Sequence, residues 1–189
     1  MSDRLQHRSR ALATVVDRLS SLPAPAVLDL GPALSMNIGA FASFGGRLTV
    51  ADLRGEIVGG RGPLTQALEL EPAGDSTYDL ILAWDLFDYL PAEHALTLGR
   101  RLAALSRAGT QLLCFVNYHG TMPTAPRIYR VREDVVYYEE TGEGTRTSPR
   151  LEETQLLRVV SGYETESGLL LQNGLKELLM VCRPAEGRE

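Results

Sequence analysis

Apolar positions along this chain change their spacing several times, and each change marks an element. Across 2–21, Leu5, Leu12, Val15, Val16 and Leu19 fall at helical intervals with Arg and Asp on the other face, which predicts an amphipathic helix. The Pro23-Ala24-Pro25 break stops it. A short apolar run over 26–30 predicts a buried strand that ends in Asp29-Leu30-Gly31-Pro32. The stretch 35–44 predicts a short helix, Gly45-Gly46 a turn, and 47–51 a second strand ending at Asp52. Over 54–63 the glycines restrict any helix to a short or broken one, and the pattern does not place a third strand before Leu64.

Further on, YDLILA at 78–83 predicts a buried strand, and 91–106 predicts the strongest helix of the chain. Pro91 suits a first helical turn, Glu93 sits near the positive end, and Ala95, Leu98, Leu102 and Leu105 make one apolar face. A turn at 107–110 leads into a strand over 111–116. The texture then changes. Segments 128–132 and 135–140 predict a hairpin turning at Glu133-Asp134, with 141–144 as loop. Ser148 and Pro149 predict a capped helix running to about residue 160. The runs 163–171 and 176–182, joined by Gln172-Asn173-Gly174, predict a closing hairpin, because Asn-Gly between apolar runs favours a tight turn.

Strands alternating with helices through two thirds of the chain predict an α/β fold: a doubly wound, mostly parallel sheet in three αβα layers, ended by a C-terminal antiparallel hairpin. At 189 residues and 20.7 kDa the chain fits a single domain over 1–189, with an N-terminal helix within 1–22 and an inserted hairpin at 127–145. A hydrophobic share of 44% and a charged share of 23% exclude a wholly disordered chain. Net charge is −5 with Lys and Arg scattered, so no basic field recruits nucleic acid, and none is expected as a partner. Cys114 and Cys182 sit in apolar runs and read as buried thiols; with only three histidines, no metal-ligand spacing arises and no metal is expected. The N-terminus lacks an apolar signal core, and no apolar run approaches membrane-spanning length, so the expectation is no membrane and a cytoplasmic protein.

Four segments, taken in order, carry a family resemblance. AVLDLGPALSMNIGAF joins a strand, an acid and a glycine; LTVADL is a strand with a terminal acid; YDLILAWDLFDYLP and LAALSRAGTQLLCF follow as strand, helix, turn and strand. The set, spanning about residues 26–118, resembles the class I S-adenosylmethionine (SAM) methyltransferases, whose Rossmann-like sheet habitually ends in an antiparallel hairpin. The resemblance implies SAM as cofactor, S-adenosyl-L-homocysteine (SAH) as product, and a small-molecule or protein methyl acceptor. It implies cofactor contacts at Asp29, Gly31, Ala33, Ser35, Asn37, Asp52, Leu53, Gln66, Ala67 and Trp84.

Each of these has a physical rationale. Gly31 lets the backbone bend sharply and approach a ligand with no Cβ in the way. Asp52 ends the neighbouring strand, and a carboxylate, being all acceptor, suits the two hydroxyls of a ribose. Ala33 and Ser35 stand where the family's glycines recur; the Ser35 and Asn37 side chains can meet the cofactor's carboxylate, but a Ser35 at positive φ would strain the loop. Gln66-Ala67 occupies the place beside adenine where an acid is common. The resemblance implies that Ala83, Trp84 and Asp85, after the fourth strand, face the methionine part or the methyl group.

Methyl transfer from a sulfonium is an in-line displacement, so alignment and at most one general base suffice. The catalytic candidates are Asp85, Tyr89 and His119; the Asn117-Tyr118-His119 stretch lies just past the fifth strand, and a histidine titrates near neutral pH. Tyr129, Tyr137 and Tyr138 mark the inserted hairpin, where the adjacent pair must face opposite sides. In the family such insertions cover the substrate mouth or build a homodimer contact. Two further readings stay open. One is a methyltransferase-like domain without chemistry, serving as a binding or assembly module, which Ala33, Ser35, Gln66 and the Tyr-bearing hairpin motivate. The other is an NAD(P)-binding Rossmann domain, weakened by the lack of a G-x-G-x-x-G run.

Overall fold

The computed structural model of the chain describes residues 5–59 and 77–183. Strand β1 (Leu5–Arg8) precedes helix α1 (Arg10–Ser20), so the helix starts later than its apolar spacing predicts. Ser9 sets the start: its hydroxyl accepts from the Leu12 amide at 2.8 Å as an N-cap. Leu5, counted on the helical face, instead pairs with Tyr138 in a strand, a tertiary pairing that overrides local periodicity.

Along the chain follow β2 (Ala26–Asp29), α2 (Ser35–Ala42), β3 (Arg47–Val50), α3 (Leu53–Gly59), β4 (Tyr78–Trp84), a 3-10 turn (Leu86–Tyr89), α4 (Ala92–Ala104) and β5 (Ser106–Asn117). Then come β6 (Thr121–Arg132), β7 (Val135–Thr147), α5 (Glu153–Val159), β8 (Tyr163–Leu170) and β9 (Leu175–Cys182). Six strands form the main sheet in the order β3-β2-β4-β5-β9-β8. The first four run parallel, and β9 runs antiparallel to both β5 and β8. Strand order reverses between β2 and β4, the place where open α/β sheets leave a crevice beyond their carboxyl ends.

Strands β2, β4, β5 and β9 are mostly buried, β3 is half-buried and β8 mostly exposed, and residues of the central strands alternate between two cores. Leu28, Ile81, Ala83, Leu112 and Cys114 pack with Leu98 and Leu102 of α4 and Leu156 of α5. Val27, Leu80, Leu82, Trp84, Leu113 and Phe115 pack the other way, against Leu12, Val15 and Leu19 of α1 and Phe41 of α2. That second face is also covered by a three-stranded sheet, β1-β7-β6, which contributes Tyr129, Val131, Val136 and Tyr138. Tyr138 points inward and Tyr137 is half-buried, as alternation along a strand requires.

Two expectations fail here for identifiable reasons. The inserted hairpin turns at Glu133-Asp134 but extends past 127–145, chiefly at its N-terminal end: Thr121 pairs with Thr147, and the expected loop at 141–144 is strand with register shifts. Gly142 and Gly144 sit at positive φ there, the geometry that lets a strand carry a bulge and continue. Ser148 does not cap a helix. Its hydroxyl donates to the Asn117 carbonyl at 2.8 Å and accepts from the Arg150 amide at 3.0 Å. Helix α5 begins at Glu153 instead, behind a Glu152–Gln155 capping box. The undetermined third strand, Gln66 and Ala67 lie outside the described residues.

Candidate functional site

Strands β2 and β3 run in register, Asp29 beside Val50, and the Leu53 amide donates to the Leu30 carbonyl at 3.1 Å. The Gly31 bend and the Asp52 carboxylate therefore border the same end of the sheet. Asp52 is exposed; one of its oxygens accepts from the Gly55 amide at 2.7 Å and so caps α3. Its other oxygen has no hydrogen bond among the described residues. Leu53 is buried beneath. Ala33 and Ser35 are absent from the residues at positive φ, so the loop after Gly31 tolerates them without strain.

Asp29 is another matter. It is 1% exposed, and its carboxylate is saturated from within. One oxygen accepts from the Gly31 amide at 2.8 Å and from the Trp84 indole N–H at 2.6 Å; the other accepts from the Asn37 amide at 3.2 Å. Burial pushes the Asp29 carboxyl above its ordinary range, against the pull of those three donors, and nearby Asp52 adds to the push. Asn37 also donates to the Tyr129 carbonyl at 3.2 Å and accepts from the Val131 amide at 3.0 Å, which stitches α2 to β6.

Trp84 closes this corner. It is 2% exposed, and its indole lies so close over the bend that a Cβ on Gly31 would stand 2.7 Å from the ring nitrogen. Tyr129 stacks on the indole with centroids 5.0 Å apart and planes within 7°, and Phe115 stacks on Tyr129 at 5.0 Å. Trp84 holds φ at +51, in the left-handed region a bulky side chain rarely adopts, at an irregularity in the β4–β5 register.

Behind Trp84 lies a buried polar cluster. Asp85 is wholly buried, and one of its oxygens accepts from the Arg127 guanidinium at 3.1 Å and the Arg127 amide at 3.3 Å. The same guanidinium reaches the Asn117 side-chain oxygen at 3.1 Å and Glu140 at 3.0 Å. Asn117 in turn donates twice to Asp88, from its backbone at 2.7 Å and its side chain at 2.6 Å. Burial raises the Asp85 carboxyl against the Arg127 charge; burial, with Asp85 close by, pushes Asp88 up to about 7.

The three catalytic candidates are not gathered into one open site. Asp85 is spent on Arg127, and the buried Tyr89 hydroxyl donates to the Pro123 carbonyl at 3.1 Å. His119 sits on the exposed turn after β5, edge-on to Tyr118 and packed against Gly174. It lines a 370 Å³ hollow with Arg150 and Glu152, and among the described residues no hydrogen bond joins it to Asp85 or Tyr89. Ser35 lines an apolar cavity of 790 Å³ between α1, α2 and the β6–β7 turn. Sequence reasoning missed Arg127. A single arginine on a strand carries no local signal, and its partner Asp85 lies 42 positions away.

No protein-family pattern and no curated protein sequence matches this chain. Solved structures do. A Burkholderia thailandensis 1,6-didemethyltoxoflavin-N1-methyltransferase, solved with bound 1,6-didemethyltoxoflavin and SAH, aligns over 93% of this chain and 80% of its own at 18% identity and a TM-score of 0.53. A SAM-dependent methyltransferase of Clostridium acetobutylicum aligns over 93% and 92% at 10% identity and a TM-score of 0.51. The magnesium protoporphyrin IX methyltransferase of Synechocystis, with bound SAH, aligns over 92% and 84% at 14% identity and a TM-score of 0.50. The chain has the class I methyltransferase fold, an α/β architecture on a mostly parallel sheet. No helix among the described residues is long and apolar enough to cross a membrane.

Proposed function

We propose that this chain is a SAM-dependent methyltransferase acting on a small-molecule or protein acceptor. The observation that carries the reading is the exposed Asp52 carboxylate beside the Gly31 bend, joined through the Leu53–Leu30 hydrogen bond at the carboxyl end of the sheet, next to the β2–β4 switch point. Residues present fit the nucleoside half of SAM: Asp52 keeps one oxygen clear of its helix cap, and the backbone near Gly31 is free of strain. They do not fit the methionine half in this conformation, since the Trp84 indole occupies the shelf over Gly31. SAM would supply a methyl group on a good leaving group, which an aligned nucleophile displaces. Asp85 and Tyr89 hold the site's walls together, which leaves alignment rather than a general base as this chain's contribution.

Calorimetry with SAH and SAM tests the reading. Binding is expected, with Asp52→Ala weakening it by about tenfold or more through loss of charge-assisted hydrogen bonds. No heat and no thermal shift at millimolar ligand would end it.

A second reading, a methyltransferase-fold domain without chemistry that serves binding or assembly, is favoured by a specific observation. Asp29, Asn37 and Trp84 satisfy one another inside a sealed core. Copurification of a stoichiometric partner, together with silence towards SAH, would support it. A homodimer through the inserted hairpin belongs to the same proposal and is checked by light scattering.

A further inference from the structure

The sealed corner holds a bulky residue in an unfavourable backbone conformation at the point where a ligand of this fold would enter, and that combination has a functional reading. We propose, resting on the cofactor reading above, that Trp84 is a placeholder for the methionine end of the cofactor and that ligand entry displaces its indole from Gly31 and Asp29.

Four observations converge on it. Trp84 ends β4 at the switch point, so its side chain stands between Gly31 and the space beyond the strands. Its N–H donates to Asp29, a buried carboxylate that a ligand's α-ammonium would satisfy with a stronger, charge-assisted bond than a neutral indole makes. Its φ of +51 is an unfavourable backbone conformation that the surrounding contacts hold in place, as at sites poised to switch. Tyr129 of β6 stacks parallel on the indole with centroids 5.0 Å apart, Phe115 of β5 lies near-parallel to it at 6.5 Å, and β6 is tied to α2 through Asn37. A shift of β6 therefore removes the nearer of the two rings stacked with the indole. The closed arrangement is internally satisfied, and the open one must be stabilised by ligand; apparent affinity falls by the fraction of molecules that are open.

Trp84 is the only tryptophan in the chain, so its fluorescence reports the displacement directly. SAH is titrated into the full-length chain while emission and heat are followed together, and the same calorimetry is run on Trp84→Phe, which keeps an aromatic ring but loses the bond to Asp29. In the wild type, emission shifts to longer wavelength and saturates with the heat; Trp84→Phe binds SAH about 10- to 1000-fold more tightly. Heat without a change in emission, or a Trp84→Phe affinity no better than wild type, overturns the placeholder and leaves the cofactor reading standing. No heat from either protein, with Trp84→Phe folded by far-UV circular dichroism, overturns both. Should Trp84→Phe fail to fold, the wild-type titration decides: a saturating shift supports the displacement, and heat with unshifted emission refutes it.

Discussion

Asp29 and Asp52 end adjacent parallel strands, yet they live in different solvents. Asp29 is enclosed by Gly31, Trp84 and Asn37, with Tyr129 stacked on the outer face of the indole. Asp52 serves only its own helix and looks into water. Both positions suit a carboxylate at the mouth of a nucleotide crevice, and only one is available to a ligand without rearrangement. The contrast teaches that a strand-end acid marks an address. Whether the address is open depends on what another part of the chain lays over it.

Perturbing the enclosed side should have the larger consequences. Arg127→Ala leaves Asp85 buried without its counter-charge, and a loss of about 3–5 kcal/mol in urea unfolding is expected; a loss under 1 kcal/mol would mean the cluster is not what holds β6 down. The next effect is a slope. Asp88 titrates near 7 in the folded chain and near the ordinary 3.8 when unfolded, so the folded state holds an extra proton between those values. Stability from this group is complete below about pH 4 and is lost as pH rises to about 7, by at most about 1.4 kcal/mol per pH unit. Asp88→Asn keeps an acceptor for Asn117 but cannot ionise, so its pH profile should lack that decline; parallel profiles for the two proteins would contradict it.

Gly31→Ala puts a methyl group against the Trp84 ring nitrogen and the Asp29 carboxylate, and overpacking of about 1–3 kcal/mol should follow. A neutral result would show that the indole moves aside cheaply, which would itself favour displacement by ligand. The smallest effect belongs to the open side. Asp52→Ala removes the cap on α3, a change of about 1 kcal/mol in thermal or urea unfolding. If Asp52→Ala proved as damaging as Arg127→Ala, the division into an enclosed and an open half would be mistaken.

Much of this molecule can be read from its residues in order. The apolar runs at 26–30 and 78–83 are buried strands because apolar side chains on both faces leave no other place for them, and 47–51 forms a half-buried strand beside them. Pro91, Glu93 and the spacing of Ala95, Leu98 and Leu102 locate α4, since helix ends and faces obey short-range rules. Asp29, Gly31 and Asp52 follow as strand-end positions. The misreadings came where distant partners decide. Leu5 joined a strand because β7 lies beside it, and 141–144 stayed in the ladder because β6 reaches that far. Ser148 turned to the Asn117 carbonyl.

By itself, then, the order of residues determined the alternating α/β plan, the two cores on the sheet and the acids at its carboxyl edge, because burial and backbone pairing act through patterns a few residues long. The tertiary structure alone decided that Trp84 folds back over Gly31, that Tyr129 seals it and that Arg127 neutralises Asp85. Those choices rest on contacts 42 or more positions apart, between Asn37 and Tyr129, Trp84 and Asp29, and Arg127 and Asp85, with the Trp84–Tyr129 stack among them. Steric fit and low dielectric act on them only once the chain has closed on itself.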